Sequence, residues 1–521
     1  MKLGSLLGTV VLACLLSGVA LPADAASGRS VIAVSDLHVG AGMDASGKWK
    51  PFEDFRWDAD FSGFLNHLSA THGDKVDLVL AGDVFELWQS PTMICSSDLS
   101  HPGCEVKDCV SPGRDLSCSE ADAVARLKYV LDHHPQFVAL LKSFAAKGQN
   151  RIYIVPGNHD AALLFPKVAE LLRSYFPALS IRLETAGYWL SEDGLIYADH
   201  GHQFDPFNKF SNWPAPFEVK NGIRYISKPW GENMVKEFYE QYEYIFPTID
   251  NLGSDLEGIK YGLARATKLE SSVAVANLLR FLIVLQSFRQ RLDLLGDDKP
   301  SVGSAKWDYE AIRQKPATFY IDTLGDEPAM KAAAESLLPL ASQFDGAAWT
   351  REEIDQICRK KKLLNESGPT KGEIATCPWK DPTMGAIAGM ADTDYSAMRA
   401  YLVNVLPLVA GARPALADLY IYGHTHQAVP EKKLKLGDTS FGYHQIKFIN
   451  TGAFQRVATL DKVNQIAATK GASAVLNPED LPACYTYVLV SPYADKPASQ
   501  LRTWSQGGDQ LWSSAAGRCL D

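Results

Sequence analysis

The stretch LYIYGHTHQ, residues 419–427, is apolar for four residues and then ends in two histidines. Leu419 to Tyr422 has the length and composition of a short buried strand, and Gly423 supplies a turn from which His424 and His426 emerge together. Two imidazoles at one strand end are either ordinary turn residues or members of a site whose other groups lie upstream. The same arrangement recurs along the chain. Val31 to Ser35 leads into Asp36, Asp77 to Ala81 into Gly82-Asp83, Ile152 to Val155 into Pro156-Gly157-Asn158-His159, and Leu195 to Ala198 into Asp199-His200. Helical patterns such as Ala121–Ala146 and Ala161–Tyr175 lie between them, so strands alternate with helices in an α/β layered manner. Ligands of such folds bind outside the carboxyl ends of the strands, where these polar residues sit.

Taken together, Asp36, His38, Asp83, Asn158, His159, His200, His424 and His426 offer carboxylate, carboxamide and imidazole donors, a mixed set suited to divalent transition metals. One fragment alone carries little weight, because a strand-end Asp is commonly a helix cap. Five fragments, each at a strand end, are not explained by capping.

Composition bounds the rest. At 521 residues the length prior allows about two to three domains. An apolar fraction of 46% and a charged fraction of 21% describe an ordinary globular chain. The net charge of −10 argues against general nucleic-acid binding, which needs an excess of Lys and Arg. It leaves room for a small anionic substrate, which a local metal charge attracts.

The N-terminal MKLGSLLGTVVLACLLSGVALPADAASG reads as an export signal: Lys2, an apolar run to Leu21, the helix-breaking Pro22, and the small-x-small site Ala23-Asp24-Ala25. Residues 1–25 are thus expected to be a signal peptide cleaved after Ala25, giving a periplasmic or secreted protein. A membrane anchor and a lipidated Cys14 are the rival readings. Eight cysteines remain after the signal, Cys95, Cys104, Cys109, Cys118, Cys358, Cys377, Cys484 and Cys519, an even number that fits disulfides in an oxidising compartment. Four of them crowd a loop at 91–120; a zinc knuckle is the rival there, although no CxxC pair is present. Cys358 with Cys377, and Cys484 with Cys519, pair by proximity.

Residues 207–415 are mostly helical by period, as at Met234–Tyr244, Ser271–Leu295 and Pro328–Ala341, and read as an insertion or cap. The run Val273–Leu285 is short and interrupted by Asn277 and Arg280, so no transmembrane helix is expected in the mature chain. Strand-like runs return at Ile446–Ile449 and Tyr485–Val490. The expected organisation is a core at 26–206 and 416–521 divided by the insertion at 207–415.

The motifs SDLH, GDVFE, GNHD, DHGH and GHTH resemble the sequential signature of the calcineurin-like metallophosphoesterases, and INTGAF, residues 449–454, resembles the family strand that follows GHxH. The resemblance covers residues 30–205 and 417–455. It implies a β-sheet sandwich flanked by helices, and two divalent metal ions, with Mn, Fe or Zn expected. One metal would be held by Asp36, His38 and His426, the other by Asn158, His200 and His424, with Asp83 bridging. The implied reaction is hydrolysis of a phosphate monoester or diester by a metal-bridging hydroxide, with His159 assisting the leaving group and Glu86 orienting His159. His200 and His202 compete for the isolated-histidine position. His200 aligns best, while His202, Asp205 or Asn208 could touch substrate.

The segment GDVFELW also resembles a subgroup that includes the UDP-2,3-diacylglucosamine hydrolases. Those enzymes are cytoplasmic and have GNRD where this chain has GNHD, so the superfamily is retained and that activity is not. The substrate is expected to be a small phosphoester: a nucleotide, a phospholipid headgroup or a sugar phosphate. The insertion and the loop at 91–120 are expected to wall the pocket, and Trp88, Trp213 and Trp230 lie close to their junctions with the core. His67, His72, His101, His133, His134 and His444 have no sequence partners and are expected at the surface or in the core. The rival function is a catalytically inactive metal-binding scaffold for a protein partner.

Overall fold

The computed structural model describes residues 28–44, 46–50, 53–89, 115–205, 207–236, 243, 246–249, 251–252, 261, 395–410, 417–439, 442–471, 474–505 and 508–513. The expected signal peptide, most of the cysteine-rich loop, the Cys358–Cys377 pair and most of the expected insertion lie outside the described residues.

In chain order the strands of the first part are β1 (Ser30–Val34), β2 (Val76–Ala81), β3 (Leu116–Ser119), β4 (Arg151–Val155), β5 (Ile181–Leu183), β6 (Trp189–Leu190), β7 (Ile196–Ala198), β8 (Phe217–Lys220) and β9 (Ile223–Ser227). The second part adds β10 (Leu419–Tyr422), β11 (Ala428–Thr439), β12 (Gly442–Thr451), β13 (Tyr485–Val490), β14 (Ser499–Ser505) and β15 (Gly508–Leu511). They form a seven-stranded sheet in the order β15-β14-β13-β1-β2-β4-β5 and a five-stranded sheet in the order β11-β12-β10-β7-β6. A three-stranded sheet, β3-β9-β8, stands apart.

Strand alternation explains why the two large sheets stack. On β1, Val31 and Ala33 face the second sheet, while Ile32 and Val34 face the helices. On β2, Val79 and Ala81 point inward while Leu78 and Leu80 point to the helices; on β4, Tyr153 and Val155 oppose Ile152 and Ile154 in the same way. The inner side chains meet Ile196, Ala198, Leu419, Ile421 and Ile449 of the five-stranded sheet. Strands buried on both faces read as continuous apolar runs, the pattern seen in VIAV, LVLA, IYIV and LYIY. Each such buried Val, Leu or Ile contributes roughly 1.5–3 kcal/mol.

Helices α1 (Asp58–His72), α2 (Glu120–His133), α3 (Pro135–Ala145) and α4 (Pro166–Tyr175) cover the outer face of the larger sheet through Phe61, Phe64, Leu127, Val130, Phe137, Leu141 and Val168. The helix Ser396–Ala410 covers the other sheet, packing Met398, Leu402 and Leu406 with Tyr420, Tyr422 and Phe448. The α/β layered architecture expected from the sequence is present.

Three local expectations change. Ala121–Ala146 is two helices, because Pro135 has no N–H to donate and starts α3 at its first turn. Ala161–Tyr175 likewise divides into a 3-10 turn, Ala161–Leu164, and α4, which begins at Pro166. The last residues of the cysteine-rich segment form β3, and Ser119 caps α2 in a capping box with Asp122.

The expected helical insertion opens on a β-hairpin. β8 and β9 pair with Lys220 opposite Ile223, leaving Asn221-Gly222 as a two-residue turn with both φ angles positive, 53° and 77°. β9 also pairs with β3, so the hairpin joins the end of the cysteine-rich segment in one small sheet. Among the described residues no helix is long and apolar enough to cross a membrane.

Candidate metal centre

Strands β1, β2 and β4 run parallel in one sheet, and β7, β10 and β12 run parallel in the other. Their carboxyl ends therefore deliver loops to a common edge. Asp36 and His38 follow β1, Asp83 and Glu86 follow β2, Asn158 and His159 follow β4, His200 follows β7, and His424 and His426 follow β10. The loops turn sharply there. Asp36, His38, Asp83, His424 and His426 have φ of 54°, 49°, 49°, 70° and 56°, a left-handed conformation uncommon for side-chain-bearing residues. Concentrating such backbone at one edge is typical of functional sites.

Gly423 begins the turn expected in GHTH and is also a point of close approach. A Cβ at this position would lie 2.1 Å from Ser35 Oγ and 2.6 Å from Asp36 Oδ2, so the residue is small because the β10 loop crosses directly over the end of β1. Gly423→Ala is expected to push the two loops apart and to cost about 1–3 kcal/mol as overpacking. A lowered denaturant midpoint measures it.

The donor atoms converge. Those of Asp36, His38 and His426 all lie within 4.8 Å of one another, as do those of Asp83, His200 and His424. His38 Nε2 is 3.2 Å from His426 Nε2, and His426 Nε2 is 3.4 Å from Asp36 Oδ1. Between the groups sits Asp83: its Oδ2 is 2.9 Å from His200 Nε2 and 3.9 Å from His38 Nε2. Its Oδ1 accepts the His159 backbone N–H at 2.9 Å.

Several of the donors are aimed by a hydrogen bond at the far side. Asp36 Oδ2 accepts from the Ser35 hydroxyl and the His424 N–H, and Oδ1 is buried with no partner. His200 Nδ1 donates to Ala81 O at 3.0 Å, which turns Nε2 toward Asp83 Oδ2 at 2.9 Å. His38 Nδ1 donates to Glu86 Oε2 at 2.9 Å, freeing its Nε2 in the same way. Asn158 Oδ1 is buried and has no hydrogen-bond partner. Orphaned buried acceptors beside two imidazole nitrogens at 3.2 Å call for a cation.

The electrostatics agree. Burial penalises ionisation of Asp36, Asp83 and Glu86, yet the surrounding histidines hold all three carboxyls below the usual range. Burial also disfavours an imidazolium at His200, but the Asp83 and Asp36 carboxylates outweigh it and hold its pKa at about 10. Buried acceptors of this kind stabilise positive charge at their centre.

His159 stands beside the cluster. Its Nδ1 donates to Glu86 Oε2 at 2.5 Å, and Trp88 stacks on the ring at 3.9 Å between centroids with an interplanar angle of 27°. Glu86 is itself fixed, its Oε1 accepting from the Trp88 and Gln89 backbone N–H groups. Burial pulls the His159 pKa down, but the Glu86 and Asp83 carboxylates hold it up at about 9.

Of the two histidines in DHGH, His200 Nε2 faces Asp83, whereas His202 packs edge-on against Trp213 at 4.4 Å. Trp88 is the expected tryptophan that touches a site residue; Trp213 packs on His202 and Phe210, and Trp230 on Phe207. His67, His72, His133 and His134 are engaged elsewhere, with Asp509, Ser30, Tyr129 and Glu53. His101 and the His444 side chain lie outside the described residues.

Three further residues support the loops that carry these groups. Asp160, fully buried, accepts N–H groups from Gly157, Val84 and Phe85 and so ties the β2 and β4 loops together. Asn450 on β12 holds the GHTH turn, donating to Gly423 O and Thr425 Oγ1. Asp205 accepts from His424 Nε2 at 2.8 Å.

Residues 29–246 match the family model described as calcineurin-like phosphoesterase. No curated protein and no solved structure matches the chain. The matched segment ends before GHTH, and the fold brings His424 and His426 to the residues inside it. It also continues past Phe207, the expected start of the insertion.

Proposed function

We propose, from a calcineurin-like phosphoesterase domain that spans residues 29–246, that this protein is an exported hydrolase of small phosphate monoesters or diesters working with two divalent cations. The convergence of Asp36, His38 and His426 in one group and of Asp83, His200 and His424 in another, with Asp36 Oδ1 and Asn158 Oδ1 buried and without hydrogen-bond partners, carries this reading.

The residues fit such a pair. Asp36, His38 and His426 would hold one cation, Asn158, His200 and His424 the other, and Asp83 would reach both through the carboxylate that lies between them. When bound, two such cations lower the pKa of water and polarise the phosphoryl oxygens. The chain's own part is orientation and proton supply. Glu86 and Ala81 O fix the tautomers of His38 and His200. His159, kept protonated by Glu86, is placed to give a proton to the departing oxygen. The substrate class remains broad: nucleotide, phospholipid headgroup or sugar phosphate.

Export is the natural setting for disulfides, and Cys118 and Cys484 are disulfide-bonded cysteines, which supports it. In this reading the cap between residues 207 and 415 supplies the pocket walls.

The test is turnover of p-nitrophenyl phosphate and bis-p-nitrophenyl phosphate by the mature chain with manganese. Release of p-nitrophenol is expected, lost on chelation and restored by added metal. A protein that holds two equivalents of metal and hydrolyses neither these nor a panel of natural phosphoesters would instead be a metal-binding scaffold.

A further inference from the structure

Each cation position has its own outer support, and the two differ. Glu86 backs His38 and also holds His159. On the other side, Asp205 Oδ2 accepts from His424 Nε2 at 2.8 Å and from Asn208 Nδ2 at 2.7 Å, while its Oδ1 accepts the Phe207 N–H at 2.9 Å. Donation through Nε2 leaves His424 Nδ1 as the ring's free lone pair. Asn208 Oδ1 faces Asn158 Nδ2 at 3.4 Å, a contact that turns the unpartnered Asn158 Oδ1 toward the cluster. This pair thus orients two of the three histidine and carboxamide donors assigned to one cation.

The pair is in turn held from the chain that follows. The short helix α5 (Trp230–Met234) places Gly231 against Asn208: the Gly231 N–H donates to Phe207 O at 3.0 Å, and a Cβ on Gly231 would fall 1.9 Å from Asn208 Oδ1. No larger residue leaves Asn208 where it is.

We propose that Asp205 and Asn208 are positioning residues for the cation held by Asn158, His200 and His424, and that Gly231 couples the start of the 207–415 segment to that cation alone. Asp205 is thereby committed to three donors, two at Oδ2 and a backbone N–H at Oδ1. This inference rests on the two-cation reading given above.

Calorimetric titration of the metal-free full chain with manganese, with bound metal counted after equilibrium dialysis, separates the two. Wild-type protein is expected to take up two equivalents. Asp205→Asn keeps the volume but removes the charge, and is expected to weaken one equivalent about 10–100-fold while the other binds as before. Asn208→Ala and Gly231→Ala are expected to weaken the same equivalent. A purely structural role would move both equivalents together or neither, and either result in the three variants overturns the pair's assignment. Uptake of fewer than two equivalents by wild-type protein overturns the two-cation reading itself, and the pair with it.

Discussion

Replacing His159 with Asn is expected to lower turnover of a phosphodiester by about 10²–10⁴-fold while both equivalents of metal stay bound. The expectation comes from where the ring sits. Its Nδ1 is committed to Glu86 Oε2, so Nε2 is the atom left to face substrate. Trp88 stacks over it and fixes the plane of the ring. Asparagine retains the backbone N–H that reaches Asp83 Oδ1, so Asp83 keeps that partner. With its pKa held at about 9, the imidazole is charged at neutral pH, and its contribution fades as pH rises through that value. The loss should be steep for alkyl esters, whose leaving oxygen needs a proton, and shallow for p-nitrophenyl esters, whose leaving group does not. Steady-state rates across a leaving-group series, with metal content measured in parallel, check this. Loss of one metal in the variant would assign His159 to the ligand set.

Asp83→Asn is expected to reduce turnover by at least about 10³-fold, the scale set by several kcal/mol of metal-derived transition-state stabilisation. Asp83 reaches both donor groups through a single oxygen, near His200 and His38. Its neutral replacement leaves that oxygen position but removes the charge on which both cations would depend. Metal content should fall for both equivalents together, in contrast to Asp205→Asn, where it falls for one. Elemental analysis of dialysed protein distinguishes the two patterns. Full occupancy in Asp83→Asn would show that the two positions do not share this residue.

The strand-end residues were legible because parallel strands advertise their ends: an apolar run that stops at Asp, Asn or His needs no distant information. That local signal sufficed for β1, β2, β4, β7 and β10 and for the polar residues that follow them. What joins His38 to His426 across the chain was legible only through the order of the motifs, since no periodicity reports a long-range contact. Asp205 and Asn208 had no such order to reveal them, and a lone Asp before a turn looks like a cap. The β8–β9 hairpin was legible in principle. Asn221-Gly222 between strand-forming residues is a strong local turn signal, but a helical period taken over two hundred residues averages it away. Pro135 and Pro166 similarly mark helix starts that a smoothed apolar period runs through.

The strand order has a consequence for how the molecule is made. β1 lies between β2, which is synthesised soon after it, and β13, whose Val490 pairs with Val31. At ribosomal speeds of about 5–20 residues per second, that second neighbour arrives about 20–80 s after the first. Until then β1 presents an unpaired edge, and the inner faces of β1, β2 and β4 await β10 and β12 to cover them. The chain must therefore be kept from aggregating as a half-built sheet. The last elements to appear, β10 and the strands after it, close the core and bring His424 and His426 to the site in the same event. The set of donor groups is therefore complete only once β10 has docked.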